Sequence, residues 1–175
     1  MQRLLSAICL AGFLSACVGS EKPLLPEAQG ISDAALAGNW SYPDGDKIVR
    51  LNVTRQGSAY LIKNSSEPDK KPIIASLHSL NASWLVIQMR GNGGGPVQYL
   101  LATKDESRPG RSWRLRPDIC DRAIADAAGL KDIKADRFTC TVTTRTQLDT
   151  LLNRAVVSPV RDSAKPIYLT QDSQS

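Results

Sequence analysis

Between residues 48 and 116 short apolar runs alternate with polar or glycine-rich breaks, the pattern of strands joined by turns. Ile48, Leu51 and Val53 lead into Gln56-Gly57-Ser58 and then Ala59-Tyr60-Leu61-Ile62-Lys63, which predicts a hairpin. A polar loop from Asn64 to Lys71 closes at Pro72, and four more runs follow, over 73–77, 84–89, 97–103 and 112–116. Six strands at near-regular spacing predict an antiparallel meander, as an open sheet or a partly closed barrel.

The last third changes period. Ile119, Ala123, Ile124, Ala127 and Leu130 keep helical spacing, with Asp118 as the expected N-cap and Gly129 near the end. Phe138, Cys140 and Val142 alternate with Thr139, Thr141 and Thr143, which predicts one more strand. Thr144-Arg145-Thr146-Gln147 is a capping-box pattern ahead of a helical stripe of Leu148, Leu151, Leu152 and Ala155. The expected fold is α+β and β-dominated: about six or seven strands followed by two C-terminal helices. Residues 31–157 read as one globular domain, opened by a single helical turn with Ser32 as its N-cap. Residues 158–175 are polar with two prolines and read as a flexible tail, in which Ile167-Tyr168-Leu169 is at most an edge strand.

The N-terminus carries a different signal. A short basic start containing Arg3 precedes an apolar run from Leu4 to Leu14, too short to span a bilayer but suited to a signal peptide over residues 1–16. The run ends in Leu14-Ser15-Ala16-Cys17, and here the chain resembles bacterial lipoprotein precursors, whose lipobox reads aliphatic, small, small, Cys. The resemblance covers residues 1–20. It implies cleavage before Cys17, acylation of that cysteine and anchorage in the lipid bilayer, which takes two or more acyl chains to be firm. It also implies a place in the bacterial cell envelope. Val18 and Gly19, where inner-membrane lipoproteins carry Asp, point to the periplasmic face of the outer membrane. Residues 17–30, with Pro23 and Pro26 and few strand or helix signals, read as a lipidated flexible tether.

Cysteine usage agrees with export. Cys9 leaves with the leader and Cys17 takes lipid, so Cys120 and Cys140 remain as an even pair and are expected to form a disulfide. Its loop of about 20 residues is worth about 3 kcal/mol. With a single His and no CxxC, the chain offers no metal site and implies no cofactor.

Charge and composition narrow the function classes. A formal net charge of +5 is a mild bias, and 5% aromatic residues leave little for base stacking, so no nucleic-acid partner is expected. The basic side chains of Arg111, Arg114 and Arg116 mark a candidate surface for an anionic partner, since Arg114 and Arg116 share one face of a strand whose other face carries Trp113 and Leu115. Gly91-Asn92-Gly93-Gly94-Gly95 leads into Pro96 and a strand rather than a helix, so it reads as a hairpin connection and not a phosphate loop. Asp44-Gly45-Asp46 follows Pro43 and reads as a turn, not a calcium loop. His78 has no Gly-x-Ser-x-Gly elbow to serve and reads as a strand-end residue. Gly38-Asn39-Trp40 resembles the Gly-x-Trp entry of lipocalins, which are ligand-binding barrels; that resemblance is confined to these few residues.

Together these features lead to a membrane-anchored, non-enzymatic interaction or structural module that meets an envelope protein or an anionic surface. The alternatives are a lipocalin-like carrier, which requires a closed barrel with an apolar cavity, and a hydrolase, which requires a Ser or carboxylate within reach of His78 in a cleft.

Overall fold

The computed structural model describes residues 17–107, 112–116, 119–135, 139–159 and 166–172. The leader, Arg111, Asp118 and Phe138 lie outside them. The centre of the molecule is a closed antiparallel barrel of eight strands: β2 (Gly38–Asp44), β3 (Lys47–Gln56), β4 (Ala59–Asn64), β5 (Ile73–Ser79), β6 (Leu85–Gly91), β7 (Val97–Lys104), β8 (Ser112–Arg116) and β11 (Ile167–Gln171). The first seven follow one another as a meander, and β11 closes the ring between β8 and β2, pairing Tyr168 with Arg114 and Thr170 with Ser41. Closure removes the exposed strand edges that an open sheet would leave.

The chain between β8 and β11 makes an outer layer. It holds α1 (Arg122–Ala127), β9 (Lys134–Ala135), β10 (Thr139–Thr141) and α2 (Arg145–Val157). At the N-terminal side β1 (Cys17–Ser20) pairs antiparallel with the start of β7 and parallel with β10, joining the outer layer to the barrel wall.

Alternation along β7 divides the apolar residues between two cores. Leu100 and Ala102 face the barrel interior, whereas Val97, Tyr99 and Leu101 face outward and pack beneath the helices with Val18, Leu148 and Leu151. The outer core is sealed: Leu148, Leu151 and Leu152 have no solvent exposure. Burying each such side chain contributes about 1.5–3 kcal/mol. Both ends of α2 are closed. Thr144 and Gln147 form the reciprocal capping box, and at the other end Arg116 donates to the carbonyls of Ala155 and Pro159.

Several expectations change. The barrel has eight strands rather than six or seven, because β2 carries polar residues and Pro43, and β11 sits in a polar stretch, so neither shows a strong apolar run. The segment expected to be a flexible tail therefore supplies a barrel strand, with Gln171 pairing with Trp40. The segment expected to be a tether is packed: Val18 is 0% and Leu25 2% exposed. Within it Leu24 N donates to Tyr99 Oη and Leu25 N to Gln88 Oε1. Helix α1 begins three residues later than the spacing predicts, with Asp121 as its N-cap, because Ile119 and Cys120 are drawn into the outer core. The disulfide Cys120–Cys140, with Cα atoms 5.4 Å apart, thus holds the approach to α1, not its first turn, against β10. At the other end of α1 Gly129 takes φ +72°, and Leu130 N returns to Ala125 O, a left-handed helix stop that glycine adopts without strain. The single turn near residue 35 is a 3-10 turn over Ala34–Leu36, capped by Asp33 instead of Ser32.

Candidate functional site

The barrel interior holds an apolar cavity of about 90 Å³. Its walls come from inward positions of the strands, among them Trp40, Tyr60, Ile62, Ala102 and Trp113, and Leu36 closes it from above. Leu36 belongs to a strap, residues 21–37, that runs from β1 across the outside of β5 and β6 and then over one end of the barrel. The part over the barrel end, Ile31–Ala37, forms a cap.

The cap is fastened by side chains of the barrel itself. Tyr60 Oη accepts from Asp33 N at 2.8 Å and donates to Asp33 O at 3.0 Å. Trp40 Nε1 donates to Leu36 O at 3.0 Å, and Gln171 Nε2 to Ala37 O at 3.0 Å and Ala35 O at 3.3 Å. Ile31 N donates to Leu77 O at 2.7 Å. The polar tips of two aromatic side chains of the wall, Tyr60 and Trp40, are therefore turned to the cap, and the cavity they border is left apolar. At the far end of the barrel Tyr42 is buried, and burial, with the charges of Asp44 and Glu67, pushes its phenol up to about 12.

A polar seam lies on the outer wall beneath the strap. Gln88 grips Leu25 twice, accepting from its N and donating to its O, both at 3.0 Å. Gln88 Nε2 also approaches Ser76 Oγ at 3.3 Å, and Ser76 Oγ lies 3.0 Å from His78 Nε2. Beside them Arg90 Nε meets Glu27 Oε1 at 2.7 Å, and Ser58 Oγ donates to Glu27 O at 2.9 Å. Burial lowers the His78 imidazole from its ordinary value; the charge of Arg145 acts in the same sense and that of Glu27 opposes it. A Ser–His contact is the first geometric element of an activated nucleophile. Ser76 is only 2% and His78 8% exposed, so a substrate could reach them only after the strap had lifted. The contact pairs two buried polar groups, as buried polar side chains require.

Arg114 and Arg116 do not share an exposed surface. Arg114 is exposed, its guanidinium carbon 6.0 Å from the centre of the Trp84 ring. Arg116 points out from the same face of β8, as the alternation predicts, but α2 covers it, leaving it 3% exposed and engaged with helix-end carbonyls. Its place in an anionic-partner surface is therefore corrected to a helix-capping one. Gly91–Gly95 joins β6 to β7 as a hairpin connection, and Asp44–Asp46 lies in the β2–β3 turn.

The sequence reading missed the cap anchors Tyr60 and Gln171, the gripping amide of Gln88 and the Glu27–Arg90 pair. Only Tyr60 carried a signal, since it shares the inward alternation with Ile62. Compared with known proteins, the chain matches no protein-family model, no curated protein and no solved structure.

Proposed function

We propose that the chain is a lipid-anchored protein of the bacterial envelope that binds a partner rather than transforming a substrate. The observation that carries the reading is where the polar groups go. Tyr60, Trp40 and Gln171 hold the cap, Ser76, His78 and Gln88 lie sealed beneath the strap, and the cavity wall is left apolar. The anchor rests on the lipobox Leu14-Ser15-Ala16-Cys17, with the periplasmic face of the outer membrane as its expected location.

Cys17→Ala tests the anchor: the variant should move from the membrane fraction to the soluble periplasm. Membrane association equal to that of the native chain would refute it. For the binding role, crosslinking in intact envelopes should capture one recurrent partner, reduced by Arg114→Ala if the exposed arginine lies in the contact. The absence of any recurrent partner would count against an interaction module.

One observation favours a second reading, a small-ligand carrier: the closed barrel holds an apolar cavity under a cap that no strand pairing holds in place.

A further inference from the structure

We propose that the barrel takes the alkyl chain of an anionic amphiphile, a fatty carboxylate in its simplest form, with its head at Lys104 and its tail displacing Leu36. The proposal rests on the carrier reading and specifies its ligand.

Three observations carry it. The first is the asymmetry of the barrel mouth. The hydrogen bonds given above for the cap run to β2, β4, β5 and β11, and Ser32 Oγ donates to Gly57 O in the β3–β4 turn. The opposite rim is built by β6, β7 and β8, where Lys104 is paired in register with Trp113, a half-buried side chain of the cavity wall. A ligand entering on that side passes between an indole and an ammonium group.

The second is charge. Lys104 is exposed and continues the inward alternation of Leu100 and Ala102, so it stands where that row of side chains reaches water. The carboxylate of Asp105, next in the chain, is turned to Ser107, accepting from its Oγ at 2.6 Å and its N at 3.1 Å. Glu106 lies exposed in the following turn. Among the described residues, an apolar wall with Lys104 at its lip suits a ligand that is apolar along its length and anionic at one end.

The third is size. A cavity of about 150 Å³ can hold the six carbons of benzene, so one of about 90 Å³ takes roughly four carbons on the same scale. Leu36 is the only cap side chain in the lining, and its isobutyl group is itself a four-carbon unit. With Leu36 withdrawn the barrel takes a tail of roughly eight carbons.

The experiment uses the exported Cys17→Ala protein, titrated with fatty carboxylates of four to twelve carbons and with 1-octanol. It is followed by tryptophan emission, to which Trp40 and Trp113 in the wall report directly, and by calorimetry. The expected result is saturable binding that tightens about fourfold per methylene and levels off near eight carbons. Lys104→Glu should weaken octanoate about fivefold and leave 1-octanol unchanged. Leu36→Ala should tighten both, because no side chain then has to be displaced. Equal binding of octanoate and octanol, indifferent to Lys104→Glu, would overturn the head-group assignment while leaving the carrier reading standing. Binding that Leu36→Ala does not alter would overturn the proposed path of the tail. No saturable binding of any ligand, to the native cap or to Leu36→Ala, would remove the carrier reading together with this proposal.

Discussion

The two cores of this protein share a wall and are built to different standards. Outside β6 and β7, the helices, β1 and the disulfide close over side chains with no exposure, and the ends of α2 are capped by Thr144, Gln147 and Arg116. Inside, the barrel keeps a cavity, several of its wall residues are only half-buried, and its lid is one leucine on a strap held by side-chain hydrogen bonds. Close-packed interiors resist change, whereas a void beside a loosely held segment lets the chain repack at small cost. The outer core accounts for much of the stability, and the barrel interior is where the molecule can adapt.

Truncating one leucine in each region gives the largest test of that contrast. Leu151→Ala removes a fully buried side chain that α2 cannot easily collapse around, and should cost about 3–4 kcal/mol. Leu36→Ala, at the edge of an existing cavity, should cost less than about 1 kcal/mol. Denaturant unfolding of the two variants measures both, and equal losses would erase the distinction.

The disulfide comes next. Replacing both cysteines, Cys120→Ser with Cys140→Ser, should lower stability by about 2–3 kcal/mol. It should also loosen the outer layer selectively: hydrogen exchange should speed up in α1 and β10 before β3 and β4. Uniform acceleration through the barrel would mean that the two regions unfold as one unit.

A smaller effect is expected where the strap bends toward the cap. A Cβ on Gly30 would sit 2.8 Å from Ser58 O and 3.1 Å from Glu27 O, both backbone atoms. Gly30→Ala should therefore lift the strap and cost about 1–2 kcal/mol. Exchange of the amides of Asp33 and Leu36 should rise, while those of α2 stay protected. A variant as stable as the native chain, with unchanged exchange at Asp33, would show that the cap does not depend on this seat.

The contrast between the cores also explains which parts of the fold could be read in advance. The six strands from 47 to 116 showed themselves because apolar alternation and turn residues coincide there, as at Gln56-Gly57-Ser58. The stripe of α2 and its capping box were legible for the same reason: packing and local chemistry agree. β2 and β11 were not legible as barrel strands because each is poor in apolar residues: Trp40 and Tyr42 stand between polar neighbours in β2, and the inward row of β11 passes from Ile167 and Leu169 to Gln171, which leaves only an edge-strand signal over 167–169. The strap was misjudged because it is held largely by its main chain. Gln88, Tyr99 and Tyr60 bond its backbone N and O atoms, which leave no mark in its own side chains. Arg116 was placed on the right face of β8, but only the crossing of α2 above it decides that this face is dry. The cavity was not legible either, since its walls draw on residues from all eight barrel strands and the cap.

The smallest effect concerns the seam between the two cores, and pH reaches it without a substitution. Burial, reinforced by Arg145 and opposed by Glu27, holds the His78 imidazole below its ordinary 6.5 in the folded protein. The unfolded chain thus takes up this proton at a higher pH than the folded one does. The stability that neutral His78 contributes is complete above that ordinary value and is lost as pH falls through it toward the lowered native one. Glu27, held below the usual carboxylate range chiefly by its hydrogen bond to Arg90, acts in the same direction but in a more acidic window. Melting between pH 7.5 and 5.5 should therefore fall for the native chain and stay nearly flat for His78→Asn, with the two curves descending together only in more acidic solution. Exchange at Leu25, which Gln88 holds from the same hydrogen-bonded group, should rise over the upper window if His78 helps to seat the strap. Parallel melting curves down to pH 5.5 would mean that the seam tolerates the charge, and that the strap is held by the Gln88 and Glu27–Arg90 contacts alone.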